Sequence, residues 1–178
     1  QDVTVADDDA LQLTIAPGPN QPTDPATGLP VTGEQGDPVE IVITRNGPTT
    51  EPLVVTLTDG DPSETSSPTT VEIPAGADSV TVLIDPVDDP LVDGDQTVPI
   101  VATAPDYAPA TQEVIVEDDD VPTITITPTG PTDPATGNPL TAENGAPAQI
   151  VISRNTDTTD LLEVFLTNGD PSETNAPV

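Results

Sequence analysis

Residues 39–45 read VEIVITR, and the apolar side chains of this run alternate with its other side chains. Three comparable runs are LVVTLT at 53–58, SVTVLID at 79–85 and TITIT at 123–127, with Gly, Pro, Asn or Asp near their ends. Two-residue alternation of β-branched residues is typical of half-buried strands. No segment has helical spacing, and prolines recur too often to allow a helix. The sequence therefore predicts an all-β protein.

The charge of the chain is strongly one-sided. Thirty-two acidic residues face two arginines, so the formal net charge is −30, and there is no histidine or cysteine. Such a chain has no basic face for nucleic acid or anionic lipid and should instead attract cations. Because His, Cys and Lys are absent, the usual catalytic bases and nucleophiles are missing, and we do not expect an enzyme.

Two further partner classes are disfavoured by composition. No apolar run reaches the length of a membrane span, so no membrane insertion is expected in this segment. Tyr107 and Phe165 are the only aromatic residues, which is too few for a surface that stacks on sugars. Carbohydrate binding is therefore not predicted.

The sequence repeats itself at a spacing of about 110 residues. QDVTVADDD at 1–9 returns as QEVIVEDDD at 112–120, and IVITRN at 41–46 returns as IVISRN at 150–155. This spacing is the size of a β-sandwich domain and too long for a solenoid unit. We therefore predict tandem sandwich repeats.

The repeat divides the chain into three parts. Residues 1–9 match the last strand and acidic tail of a preceding repeat, 10–120 form a complete sandwich, and 121–178 match the first three strands of a following repeat. The complete repeat contains seven predicted strands, A to G, near 11–16, 39–45, 52–58, 70–74, 79–84, 97–103 and 112–117. The partial repeats belong to a longer tandem array or are completed by a neighbouring chain.

The acidic residues concentrate at one end of the predicted sandwich. Antiparallel strands alternate in direction, so the A–B, C–D and E–F connections should meet the end of strand G at one pole, and these segments are rich in acids. The opposite pole has three acids and Arg45. Clustered carboxylates suit calcium, which takes six to eight oxygen ligands, better than magnesium or zinc. The alternative is a solvated acidic surface, such as a high-salt adaptation.

Several stretches resemble the Calx-beta domain, an immunoglobulin-like sandwich that often occurs in tandem. They are TAENGAPAQIVISRN, VTLTDGDPSET, TVEIPAGADSVTVLIDPVDDPLVDGDQTV and the closing VIVEDDD. The resemblance covers all of 10–120 and continues into 121–178. It implies a calcium-binding sandwich.

The resemblance also implies a set of calcium ligands, with more than one ion in a complete repeat. The family pattern often has a second glutamate at the position of Gln96. In this sequence the neighbouring residue, Asp95, is the acid. The partial repeats supply the last five residues of the following list. The implied ligands are Glu34, Asp61, Glu64, Asp88, Asp89, Asp93, Asp95, Asp118, Asp119, Asp120, Asp7, Asp8, Asp9, Glu143 and Asp170.

The insertion PTDPATG occurs at 22–28 and again at 131–137. It is unlike the compact loop of the family. One interpretation is a proline-stiffened loop. The other is a lateral contact or an extra ligand through Asp24 and Asp133.

Two functions are compatible with these observations. The first is a structural module of an extracellular or cell-surface tandem-repeat protein (an adhesin, surface layer or filament) whose junctions calcium stiffens. Its partners would be neighbouring repeats or identical chains in a fibre. The second is a calcium-sensing or ligand-binding module of a larger surface or membrane protein. Head-to-tail repeats would place Arg154 near Asp118–Asp120, and Arg45 near Asp7–Asp9.

Overall fold

The computed structural model describes residues 10–140 and 147–167. The chain divides into two compact units, Gln1–Pro122 and Thr123–Val178. Five predicted ligands lie outside the described residues: Asp7, Asp8, Asp9, Glu143 and Asp170. None of the described residues belongs to a helix that could cross a bilayer.

The first unit is a sandwich of two sheets. One sheet has the strand order β1-β3-β7-β5, and the other has the order β2-β9-β8-β4-β6. The strands are β1 Leu13–Pro17, β2 Val31–Gly33, β3 Val39–Arg45, β4 Leu53–Asp59, β5 Thr65–Ser66, β6 Thr70–Ile73, β7 Ser79–Pro86, β8 Gln96–Thr103 and β9 Ala110–Glu117. The predicted all-β sandwich is confirmed.

Two short strands were not predicted. β2 has three residues and β5 has two, so neither shows an alternating pattern. β2 pairs in parallel with β9, whereas the other pairings between named strands of this unit are antiparallel. Both strands lie beside predicted ligands, since β2 precedes Glu34 and β5 follows Glu64.

The alternation seen in the sequence becomes the inside and outside of the sandwich. On β3, Val39, Ile41 and Ile43 are fully buried, and the residues between them are only partly buried. The core is aliphatic, and Tyr107 packs against its edge. A side chain on Gly47 would meet the Tyr107 hydroxyl and the Leu11 side chain, so both would have to move.

Arg45, at the end of β3, is buried, and its guanidinium binds backbone carbonyls of the first unit. It is 4% exposed. Its Nε and both terminal nitrogens donate four hydrogen bonds of 2.8–3.2 Å to the carbonyls of Glu51, Pro74 and Ala77. The predicted neighbours Asp7–Asp9 lie outside the described residues. The guanidinium joins the β3–β4 loop to the β6–β7 turn.

The second unit begins with the same pattern. β10 Ile124–Pro128 pairs with β11 Ile150–Arg154 in antiparallel fashion, as β1 pairs with β3. Arg154 donates to the carbonyl of Asp160 at 2.7 Å. Asp160 is the residue of the second unit that corresponds to Glu51, the partner of Arg45. The repeat is therefore structural as well as sequential in these strands.

Candidate metal centre

The parallel pairing of β2 with β9 places Glu34 beside the acidic tail of β9. Gly33 is in register with Glu117, and the amide of Glu34 donates to the carbonyl of Glu117 at 3.2 Å. The residue after β2 and the residues after β9 therefore leave the sheet together. This register brings Glu34 to Asp118–Asp120, which are far from it in the chain.

Among the described residues, two overlapping groups of carboxylates have a spacing that could hold a metal ion. One consists of Glu34, Asp118 and Asp120, and the other of Glu34, Asp88 and Asp119. In each group the candidate ligand oxygens lie within 4.8 Å of one another. Glu34 is common to both groups. The site therefore combines ligands from the loop after β2, the β7–β8 loop and the tail of β9.

Glu34 is the buried centre of this arrangement. It is 4% exposed, and its Oε2 is buried with no hydrogen-bond donor among the described residues. The pKa of Glu34 is raised to about 7, mainly by burial and next by repulsion from Asp118. A hydrogen bond from the Asp89 amide opposes this rise. A buried charge without a partner is costly, so this carboxylate calls for a cation or a proton.

The acidic tail is held in place by the β7–β8 loop. Asp118 Oδ2 accepts from the Gly94 amide at 2.8 Å, and the Asp118 amide donates to Asp95 Oδ1 at 3.2 Å. Asp118 Oδ1 accepts from the Asp120 amide at 2.8 Å. These backbone donors, that of Asp120 foremost, lower the pKa of Asp118. Asp95 thus orients Asp118 through one oxygen and belongs to neither metal-binding group.

Asp120 resembles Glu34 in having an unsatisfied oxygen. Its Oδ2 is buried with no donor among the described residues. Burial raises the pKa of Asp120, and repulsion from Asp118, Asp119 and other acids adds to this effect. Two unsatisfied carboxylate oxygens therefore occur in the same metal-binding group.

The β4–β5 loop supplies Glu64. Its side chain is 5% exposed. Burial raises the pKa of Glu64, and repulsion from Asp93, Asp61 and Asp89 acts in the same direction. Asp61 Oδ1 instead accepts hydrogen bonds from the amide and hydroxyl of Ser63. Of the two acids predicted from this loop, Glu64 is the one buried against the acids of the site.

The remaining predicted ligands lie on the β7–β8 loop. Asp88 belongs to a metal-binding group. Asp89 Oδ1 accepts from the Leu91 amide at 2.6 Å, while its charge acts on Glu34 and Glu64. The charge of Asp93 also acts on Glu64. This loop therefore forms one wall of the site.

The PTDPATG insertion folds as a small hairpin of its own. Asp24 Oδ1 accepts from the amides of Ala26 and Thr27 and from the Thr27 hydroxyl. These bonds, the one from the Thr27 hydroxyl foremost, lower the pKa of Asp24. Asp133 Oδ1 accepts from the corresponding amides in the second unit. One oxygen of each aspartate thus caps its own loop.

Sequence reasoning missed two residues near the site. Gln35 Nε2 donates to Asp119 Oδ1 at 3.4 Å. Asp59, at the end of β4, has a buried Oδ2 with no donor among the described residues. Gln35 follows a predicted ligand directly. Asp59 starts the acidic loop that contains Asp61 and Glu64, and its position there was the available signal.

The ligand set fits a hard cation. Every candidate ligand is a carboxylate oxygen, and Glu34 and Asp120 have oxygens that lack donors. The loops are irregular, which suits the flexible coordination of calcium better than the octahedron of magnesium. Arg45, the arginine of this unit, donates its hydrogen bonds to backbone carbonyls.

No family model matches the chain, and no curated protein matches it. Solved structures do. The apo form of the Calx CBD1 domain is 16% identical with a TM-score of 0.45, over 61% of this chain and 99% of that one. CBD12 from CALX1.2 is 13% identical with a TM-score of 0.45, over 80% and 72%.

A third structure, the calcium-binding domain CBD12 of CALX1.1, is 13% identical with a TM-score of 0.42, over 72% of this chain and 67% of that one. These neighbours are domains of the kind that the sequence resembles. At this identity and TM-score the similarity concerns the fold alone.

Proposed function

We propose that the first unit is a calcium-binding module and that the chain is a structural segment of an extracellular tandem-repeat protein. The observation that supports calcium binding most directly is the buried Glu34 carboxylate. Its Oε2 lacks a donor within the described part of the chain, and other carboxylates surround it. A divalent cation would offset both the desolvation and the repulsion.

The two overlapping metal-binding groups favour more than one ion. Glu34 belongs to both groups, so it would contribute to two cation positions. Asp118 and Asp120 would complete one position, and Asp88 and Asp119 the other. The chemistry supplied by the ions is electrostatic, since they would neutralise the acids of three separate loops.

Calcium is expected to stabilise the first unit strongly. Binding to the folded state alone would add about 2.7 kcal/mol at a hundredfold excess over the dissociation constant. An extracellular module would bind at roughly 10⁻⁴–10⁻³ M. Thermal melting followed by Tyr107 fluorescence reports on this unit, because Tyr107 is the only tyrosine and packs against its core.

The control for this measurement is ionic strength. Calcium at millimolar concentration should raise the melting temperature, and a chelator should reverse the increase. Sodium chloride at matched and higher ionic strength should have a smaller effect, because screening does not satisfy Glu34 Oε2. If sodium chloride reproduces the whole effect of calcium, the acidic pole is a solvated surface and the metal site is wrong.

The structural role rests on the recurrence of the same elements. The β10–β11 pairing, the PTDPATG hairpin and the Arg154 hydrogen bond all repeat features of the first unit. A row of similar sandwiches suits a fibre or surface layer better than a single sensor. The position of Arg154 near Asp118–Asp120 stays a prediction.

A protein with two or more complete repeats should respond to calcium in its dimensions. We expect it to be an extended rod with calcium and to bend at its junctions after chelation, because the acidic tail after β9 leads directly into the next repeat. Small-angle X-ray scattering would measure the maximum dimension. An unchanged value after chelation would contradict calcium stiffening and would favour a sensing or ligand-binding module.

A further inference from the structure

Asp59 and Thr65 form a contact that joins the two sheets at the acidic pole. Asp59 ends β4 in the five-stranded sheet, and Thr65 begins β5 in the four-stranded sheet. The Thr65 hydroxyl donates to Asp59 Oδ1 at 2.8 Å. The same oxygen accepts from the Asp61 amide at 3.2 Å. Thr65 is only 1% exposed, so this contact is buried.

Glu64 lies immediately before this contact, and its backbone is held on both sides. The amides of Glu64 and Thr65 both donate to the carbonyl of Asp61, at 3.2 and 3.1 Å. The carbonyl of Glu64 accepts from the Val87 amide at 2.9 Å, next to the end of β7. The short β5 pairs with the end of β7 through two residues. The direction of the Glu64 side chain therefore depends on the fold of the 59–65 loop.

The Glu64 side chain needs such support because its surroundings repel it. It is 5% exposed and faces the charges of Asp93, Asp61, Asp89 and Asp118. A loop free to move would turn this carboxylate out to water. A buried hydrogen bond between the ends of β4 and β5 opposes that movement.

The second copy of the loop sequence differs from the first at the position of Asp59. TDGDPSET at 58–65 returns as TNGDPSET at 167–174, so Asn168 stands where Asp59 stands in the first copy. Asparagine keeps one carbonyl-type acceptor oxygen and loses the charge. The two hydrogen bonds of Asp59 converge on a single oxygen. The repeated sequence thus retains the acceptor and dispenses with the second carboxylate oxygen, which in Asp59 lacks a donor among the described residues.

We propose that Asp59 and Thr65 are positioning residues that hold Glu64 inside the calcium site. The inference rests on the proposed function and adds two residues that contact no ion themselves. Among the described residues neither Asp59 nor Glu64 belongs to one of the two metal-binding groups. Glu64 is placed at the site by its burial beside the charges of Asp93, Asp89 and Asp118, whereas the hydrogen bonds of Asp59 go to Thr65 and to the Asp61 amide. Supporting partners of metal ligands typically change affinity by roughly 10- to 100-fold when they are removed.

The test compares matched variants of the full chain by calcium calorimetry. Asp59→Ala and Thr65→Val should each weaken calcium binding by roughly 10-fold, because each breaks the contact. Asp59→Asn and Thr65→Ser should remain close to the wild-type affinity, because each keeps the acceptor oxygen or the hydroxyl. If the two disruptive variants bind as tightly as the conservative ones, the proposal is wrong.

A double-mutant cycle separates positioning from a general loss of stability. In a Glu64→Gln background, adding Asp59→Ala should cause no further loss of affinity, because the side chain that it positions has already lost its charge. An equal loss in both backgrounds would overturn the proposal.

A calcium-free measurement separates this proposal from the proposed function. Without calcium, Asp59→Ala should accelerate amide hydrogen exchange at Glu64 and Thr65 relative to Asp59→Asn. Failure of the wild-type chain to bind calcium would refute the calcium module. Unchanged exchange in Asp59→Ala would refute the contact as the support of the loop, whatever the calcium affinity.

Discussion

Replacing Glu34 with glutamine is expected to weaken calcium binding by more than roughly 100-fold, beyond the usual effect of removing a supporting partner. Glu34 belongs to both metal-binding groups and is buried at 4% exposure, so its loss affects both cation positions. Calorimetry on the full chain would measure the change. The heat of binding should fall to the level of weak surface association.

The matched control is Glu51→Gln. Glu51 is exposed, lies in the β3–β4 loop, and contributes only its backbone carbonyl to Arg45. The substitution removes the same charge with the same chemistry, so calcium affinity should stay close to that of the wild type. Equal weakening by both substitutions would mean that overall charge attracts calcium and that Glu34 has no special place.

Without calcium, Glu34→Gln should stabilise the first unit. The folded-state pKa of Glu34 is raised to about 7 from the ordinary 4.5. The folded state therefore binds the proton more tightly, and its stability falls as pH rises from about 4.5 to 7. Glutamine has no such titration. Above pH 7 without calcium, Glu34→Gln should be more stable than wild type by up to roughly 3 kcal/mol.

Urea unfolding at several pH values, followed by Tyr107 fluorescence, would check this effect. The difference between variant and wild type should close below pH 4.5, where Glu34 is protonated in both folded and unfolded chains. The raised pKa values of Glu64 and Asp120 act in the same direction in both proteins. Repulsion between Glu34 and Glu64 is lost in the variant and adds to the difference at high pH. A difference independent of pH would show that the carboxylate is not buried as a charge.

Replacing Arg45 with methionine is expected to destabilise the first unit by roughly 3–5 kcal/mol. Methionine fills part of the same volume but donates no hydrogen bond. The carbonyls of Glu51, Pro74 and Ala77 would together lose four hydrogen bonds from the charged guanidinium. Because the site lies at the other end of the sandwich, calcium affinity of the remaining folded protein should be unchanged.

Arg154→Met is the control for the Arg45 variant. Arg154 is the corresponding residue of the second unit and donates to the carbonyl of Asp160. Its loss should leave the urea midpoint of the Tyr107 transition unchanged, since Tyr107 belongs to the first unit. If Arg45→Met has as little effect as Arg154→Met, the buried guanidinium is not a main support of the loops.

The strands were largely predictable because their pattern is local. Val39, Ile41 and Ile43 alternate within seven residues, and all three are fully buried. Alternation needs no knowledge of the partner strand, since successive side chains point to opposite faces of any sheet. The same logic placed the acidic loops and the tail of β9 at one pole.

The short strands β2 and β5 were not predictable in this way. Their hydrogen bonds come from β9 and β7, so partners distant in the chain define them. Their consequences are large. The register of β2 sets the place of Glu34, and β5 with Thr65 sets that of Glu64.

By itself, the sequence determined the strand pattern, the repeat, the excess of acids and the family resemblance that named the ligands. Only the tertiary structure decided how each carboxylate is used. Glu34 and Asp120 are left with unsatisfied oxygens, whereas Asp95 accepts from the Asp118 amide and Asp61 from Ser63. Arg45 turns inward to three carbonyls. The reason is physical: an acid is a ligand or a cap according to which donors the folded backbone brings within hydrogen-bond distance, and composition does not encode those distances.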